Sequence, residues 1–183
     1  MSAGLDLDFG PGRIRDWVRS DRASLLRHAD DARVARFLSA RFPHPYRTTD
    51  ADAWFDFLAG QPEPEGWAIE VDGQAVGGIG VRRGAGEFAH SGELGYWLGA
   101  AYWRRGIVSA AVRVLVPAVM ARWDLARVGA YAATANIASI RVLEGAGFER
   151  EGVMQARSIR GGEVQDHVVF ARIDRARLAR LAR

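Results

Sequence analysis

The chain of 183 residues contains no cysteine and no lysine. The first absence excludes disulfides, thiolate metal sites and a cysteine nucleophile. The second makes all 25 basic residues arginine, beside many alanines, which reads as the codon bias of a GC-rich genome. Long apolar runs are also missing: none approaches the roughly eighteen residues that a membrane span requires. The opening MSAGLDLDFGPG has neither a basic stretch nor an apolar core, so no secretory leader is expected and the expected location is cytoplasmic. Excess charge of one sign is small, at +3. The arginines are scattered apart from the tail RIDRARLARLAR, whereas nucleic-acid binders gather theirs on one element. Neither a membrane nor a nucleic acid is therefore an expected partner, and for the tail a membrane-surface or RNA contact stays only as the alternative to a short solvated helix. No His, Asp and Glu group has metal-ligand spacing, so no metal is expected.

What is present is 49% hydrophobic and 26% charged, the balance of one soluble domain, with no linker or internal repeat. RIRDW (13–17) alternates like a strand, and Asp21 stands where it would cap a helix over RASLLRHAD. DDARVARFL predicts another turn or two of helix, and RFPHPY (41–46) must be irregular. Thr49 and Asp52 fit a capping-box start for ADAWFDFLAG, with QPEPEG as a loop after it. WAIEV and QAVGGIGV flank Asp72-Gly73, the signature of a type I′ hairpin turn, and ELGYWLG (93–99) reads as the next strand. A helix follows with Val112, Leu115, Val116 and Val119 on one face, although Pro117 should kink it. RVGAYAAT (127–134) predicts a strand, NIASIRVLEGAGF a helix capped by Asn136 and ending at Gly145 or Gly147, and the remainder a hairpin around Gly161-Gly162. The fold class is α/β in the α+β sense, one mixed sheet with helices on its faces.

Two stretches carry chemistry. In AYWRRGIVSAAVRV a strand gives way to a helix at Gly106, where amides without internal partners and the helix dipole favour an anion. Gly106 admits close approach, and Arg104 and Arg105 can add charge-assisted contacts. Taken alone this is equally a helix start with two solvated arginines. The spacing matches neither a P-loop nor a dinucleotide fingerprint. The second stretch, TANIASIRVLEGAGF, puts Asn136 at the end of a strand and Ser139 one turn into a helix. An ordinary N-cap explains both residues equally well.

In order and separation, ELGYWLGAAYWRRGIVSAA and NIASIRVLEGAGFEREG resemble the two signature blocks of the GCN5-related N-acetyltransferase (GNAT) family. The resemblance covers residues 13–173 and is nearest in wording to the RimJ/RimL-like branch of ribosomal-protein and other N-terminal acetyltransferases. It leaves 1–12 as an N-terminal extension and 174–183 as an arginine-rich tail of a single domain. It implies a mostly antiparallel central sheet flanked by helices, with a splayed central strand pair for acetyl-CoA. In the family a Q/R-x-x-G-x-G/A loop holds the pyrophosphate, and its positions here run Trp103, Arg104, Arg105, Gly106, Ile107 and Val108, followed by Ser109. Trp103 and Val108 depart from that pattern, and Ala110 stands where an acidic residue is common. The Val108 amide can still donate if its backbone is helical.

The implied activity is acetyl transfer from acetyl-CoA to a primary amine, either a protein N-terminal α-amine or a small molecule. A catalytically weak acyl-CoA-binding module is the alternative that Val108 favours. Glu93 is the candidate general base, acting through water, although a strand-end glutamate needs no such role. Backbone amides around Trp97 and Leu98 would polarise the thioester carbonyl. Ser139 would protonate the leaving thiolate, and Asn136 would hold the cofactor arm. His44 could line the acceptor entrance, and Trp54 and Trp67 could wall a hydrophobic acceptor site, though packing is the usual task of such residues. Asp166 and His167 are strand neighbours that point to opposite faces, so they should not act as a dyad. Homodimers are common in this branch.

Overall fold

The computed structural model describes residues 4–182, so the ends of the predicted extension and tail, Met1–Ala3 and Arg183, lie outside the described residues. The strands are β1 (Asp6–Asp8), β2 (Arg13–Arg15), β3 (Gly66–Val71), β4 (Gln74–Arg83), β5 (Ser91–Leu98), β6 (Arg127–Ala133), β7 (Glu149–Arg160) and β8 (Glu163–Ile173). The helices are α1 (Arg22–Ala29), α2 (Ala32–Ala35), α3 (Thr48–Ala59), α4 (Ile107–Arg122), α5 (Ile137–Gly145) and α6 (Arg175–Leu181). The strands form one sheet in the order β1-β2-β3-β4-β5-β6-β8-β7. Strands β5 and β6 run parallel, whereas β1–β2, β2–β3, β3–β4, β6–β8 and β7–β8 are antiparallel. This is the mixed, mostly antiparallel α/β architecture expected from the sequence.

Two compact units are distinguishable, one of Met1–Gly80 with Tyr96–Ala111 and one of Val81–Gly95 with Val112–Arg183. In the first, β3 and β4 meet at the predicted turn: Asp72 and Gly73 have φ of 51° and 73°, the two positive values that a type I′ turn demands. Helices α1 and α3 pack around Leu25, Ala29, Tyr46, Ala51 and Phe55. Trp67 is 1% exposed in β3, so it is a core residue and cannot wall an acceptor site. A strand absent from the sequence reading, β1, pairs with β2 over three residues, too few to show a period.

Two capping expectations are corrected here. Asp21 precedes α1 but makes no side-chain cap, because its carboxylate is taken by Arg15, at 2.7 and 2.8 Å, and by the Val18 amide. Helix α3 starts at Thr48, and its capping carboxylate is Asp50, which accepts from the Arg47 amide at 2.6 Å. Asp52 is instead held by Arg22 in a two-pronged contact at 2.6 and 2.8 Å.

In the second unit, Val112, Leu115, Val116 and Val119 are fully buried along α4. Pro117 lies inside this helix without ending it. It sits on the exposed face, so water can reach the Arg113 carbonyl that Pro117 leaves without its usual donor. Asn136 caps α5 as predicted, its side chain accepting from the Ser139 amide at 3.2 Å. Asn136→Ala should therefore cost about 1 kcal/mol in chemical denaturation, and an unchanged midpoint would show that the cap adds nothing. Strands β7 and β8 form the closing hairpin around Gly161-Gly162. The tail forms α6, whose Arg177 donates to the carbonyls of Met120, in the last turn of α4, and of Leu125, just beyond it.

Candidate active site

The decisive local feature is the passage from β5 into α4. Ala110 N–H donates to Gly106 O at 3.0 Å, the first bond of α4, so the amides of Ile107, Val108 and Ser109 have no intrahelical acceptor. Val108 thus has helical backbone, and its departure from Gly or Ala leaves the amide in place. Gly106 has φ +73°, and nothing lies within 4 Å of where a β-carbon would stand. Arg104, also exposed, has φ +61°, a strain of about 1–2 kcal/mol that collects in ligand-binding loops.

The loop is braced by contacts that no local pattern announces. Trp103 Nε1 donates to Leu98 O at 2.8 Å, tying the loop back to the end of β5. The guanidinium of Arg33 lies 5.9 Å over the Trp103 ring, and that of Arg105 lies 5.2 Å over Tyr102. Tyr102 in turn packs edge-on against His28 of α1, with ring centroids 5.4 Å apart. Burial, with Arg27 adding to it, pushes the His28 imidazole below its ordinary pKa, so it is neutral at pH 7. Trp103, which departs from the family's usual Gln or Arg, is therefore a structural tie.

The backbone of β5 offers groups of two kinds. Gly99 N–H donates to Val76 O of β4 at 2.8 Å, and alternation turns the Trp97 amide the same way and the Leu98 amide away. The ladder between β5 and β6 runs over Ser91–Glu93 and Arg127–Gly129, although β5 continues to Leu98 and β6 to Ala133. Glu93 is at the end of that ladder, with a side chain 42% exposed that accepts from Arg82 at 2.8 Å. Water can reach such a carboxylate. In the second unit the Asn136 side-chain oxygen holds the first turn of α5, and Ser139 lies half-buried in that turn.

Other nominated residues have ordinary partners. His44 Nδ1 is 3.5 Å from Asp30. Asp166 accepts from the Ala156 amide, while His167 pairs through Nε2 with Ser158 Oγ at 2.9 Å, so the two neighbours act separately as expected. Burial, then Arg157, lowers the His167 pKa. Among the described residues no group of three or more His, Asp or Glu side chains could hold a metal ion, and no helix is long and apolar enough to cross a membrane.

A family model described as an acetyltransferase (GNAT) domain matches residues 13–149, three-quarters of the chain. The chain belongs to the GNAT family. Among curated relatives, "Probable N-acetyltransferase YjcK" of Bacillus subtilis (strain 168) is 37% identical over 78 residues. That match covers 43% of this chain and 43% of the relative, so the similarity spans less than half of either. The GNAT fold extends much further. A GNAT-family acetyltransferase from Bacillus anthracis has TM-score 0.81 at 21% identity, covering 92% of this chain and 98% of the other. A ribosomal alpha-N-protein acetyltransferase, RimL, solved in complex with coenzyme A, has TM-score 0.77 at 18% identity, covering 92% and 98%.

Proposed function

We propose that this GNAT protein is an acetyl-CoA-dependent N-acetyltransferase of the RimJ/RimL-like branch, acting on a primary amine in the cytoplasm. The observation that carries the proposal is the turn at Gly106. It presents three helix-start amides beside Arg104 and Arg105, with open space where a side chain would otherwise stand. That donor set fits a pyrophosphate: the amides of Ile107, Val108 and Ser109 would donate to its oxygens, and the two guanidinium groups would add charge. Acetyl-CoA would supply the activated acetyl thioester. The Leu98 amide would pair with the thioester arm, whereas the Trp97 amide, turned toward β4, would not, and Asn136 would hold the arm further along.

Chemistry requires a neutral amine, and primary amines are mostly protonated at pH 7. Glu93 takes the proton through water, and Arg82 holds its carboxylate in place. The amine nitrogen bonds to the carbonyl carbon as the carbon–sulfur bond breaks; the proton that this nitrogen sheds is taken up at Ser139 Oγ as the hydroxyl gives its own to the departing sulfur. An N-acetyl amine and free coenzyme A thiol result.

Glu93→Gln should lower kcat about a hundredfold, with the Kd for acetyl-CoA changed less than twofold. The check is thiol release across pH: a variant that keeps the wild-type pH–rate profile removes Glu93 from the role of base. Tight acetyl-CoA binding without acceptor-dependent thiol release would turn the reading toward a binding module.

A further inference from the structure

Trp97 stands within an aromatic cluster that cofactor binding does not call for. Gly78 of β4 lies beneath it: a β-carbon there would be 2.6 Å from Trp97 Nε1 and 3.4 Å from the Trp17 ring. A β-carbon there would collide with the Trp97 indole, whereas the Trp17 ring stands at ordinary contact distance. Phe42, from the irregular segment 41–46, packs 5.3 Å from Trp97 and 5.1 Å from Tyr46. Trp17 meets Phe55 edge-on at 6.4 Å, and on α3 Trp54 stacks on Phe57 at 5.5 Å. Trp17, Phe42, Trp54 and Trp97 are only partly buried, and Phe57 is 55% exposed, so this is an aromatic surface continuing from a core.

The side chain of Trp97 is on the same face of β5 as that of Glu93, four residues earlier. Alternation requires it, and β4 agrees, since Gly78 faces Trp97 and Arg82, four residues on, reaches Glu93.

Charge on this segment argues in the same direction. Each carboxylate between residues 19 and 60 already has a partner. Asp21 is bound by Arg15, Asp31 by Arg33, Asp52 by Arg22 and Asp56 by Arg19. Asp30 accepts from the Tyr46 amide and Asp50 from the Arg47 amide. A polyamine or other polycation needs carboxylates to hold its distal charges, and within residues 19–60 each is already partnered.

We propose that the acceptor is a primary amine on an aromatic body, an arylalkylamine whose ring packs against Phe42 and Trp97. This rests on the reading of the protein as an acetyltransferase with β5 as its acceptor strand. The same chemistry occurs in a free amine and in a peptide beginning with phenylalanine.

The test uses the full chain with saturating acetyl-CoA, measuring thiol release with phenethylamine, butylamine, spermidine and short peptides beginning with Phe or Ser. Expected is a kcat/KM for phenethylamine about tenfold or more above butylamine and spermidine. The Phe-first and Ser-first peptides decide between free and peptide-borne rings. Phe42→Leu, which keeps an apolar side chain, should raise the KM for phenethylamine about fivefold and leave the Kd for acetyl-CoA unchanged. Butylamine or spermidine used as well as phenethylamine, or a Phe42→Leu effect equal for all amines, would overturn the aromatic acceptor while leaving the transferase intact. Acetyl-CoA binding with no thiol release for any amine overturns the transferase reading and this inference with it.

Discussion

Gly106→Glu is expected to weaken acetyl-CoA binding at least about a thousandfold while the protein stays folded. Two effects act at one atom. A side chain at φ +73° is strained, by about 1–2 kcal/mol. A carboxylate at the start of α4 also occupies the space and the electrostatic well proposed for the pyrophosphate. Titration calorimetry with acetyl-CoA measures the loss, and Gly106→Ala separates the terms, since it adds the strain without the charge. The alanine variant should lose about tenfold. Gly106 is exposed and a β-carbon there meets nothing, so thermal stability should fall by only a few degrees in either variant. Unaltered affinity in the glutamate variant would mean that the phosphates bind elsewhere.

The second large effect is on stability and lies away from the loop. Arg15→Ala should cost about 3–5 kcal/mol, lowering the melting temperature by roughly 10 °C. Arg15 is 14% exposed and joins Asp21 and Glu70, whose side chains are 8% and 13% exposed. Removing it takes the guanidinium from Asp21, where little water can replace it, and leaves Glu70 with Arg13 alone. The variant should also lose part of its acid limb. Burial acts to raise the Glu70 pKa, but hydrogen bonds and charge from Arg15 and Arg13 outweigh it and hold the group below its usual value of 4.5. A carboxylate depressed in the folded state adds stability above its unfolded pKa, and that stability is lost as pH falls through the folded value. Wild-type stability should therefore decline below about pH 4.5, and the decline should be shallower in Arg15→Ala. Denaturant midpoints measured between pH 3 and 7 test both statements, and a cost under 1 kcal/mol would show that the three groups are effectively solvated.

The elements legible in the sequence were those whose cause is local. Asp72-Gly73 and Gly161-Gly162 specify their turns within two residues, and Asn136 finds its capped amide three residues on. The apolar face of α4 repeats at helical spacing, so Pro117 within it did not hide it. Asp21 and Asp52 misled because each looks like a cap in isolation, and each is claimed by an arginine brought to it by the fold, from six and thirty residues away. Trp67 reads as readily for a pocket as for a core, and only its neighbours in the folded chain decide between them. In the candidate site, the helix-start amides could be read from Gly106 onward. The contacts of Trp103 with Arg33, and of His28 with Tyr102, could not, since no spacing rule links a loop to helices some seventy residues earlier.

The tie from Trp103 to Leu98 has a further consequence for self-association. A strand that ends with an unclaimed carbonyl invites a foreign strand to add itself by ladder hydrogen bonds. At the end of β5 that carbonyl is occupied by the protein's own indole, 2.8 Å away. A strand arriving there finds a donor without its matching acceptor and cannot zip onto the sheet. The bulky ring at the head of the loop thus closes the end of β5, which runs on past its ladder with β6, to pairing with another chain.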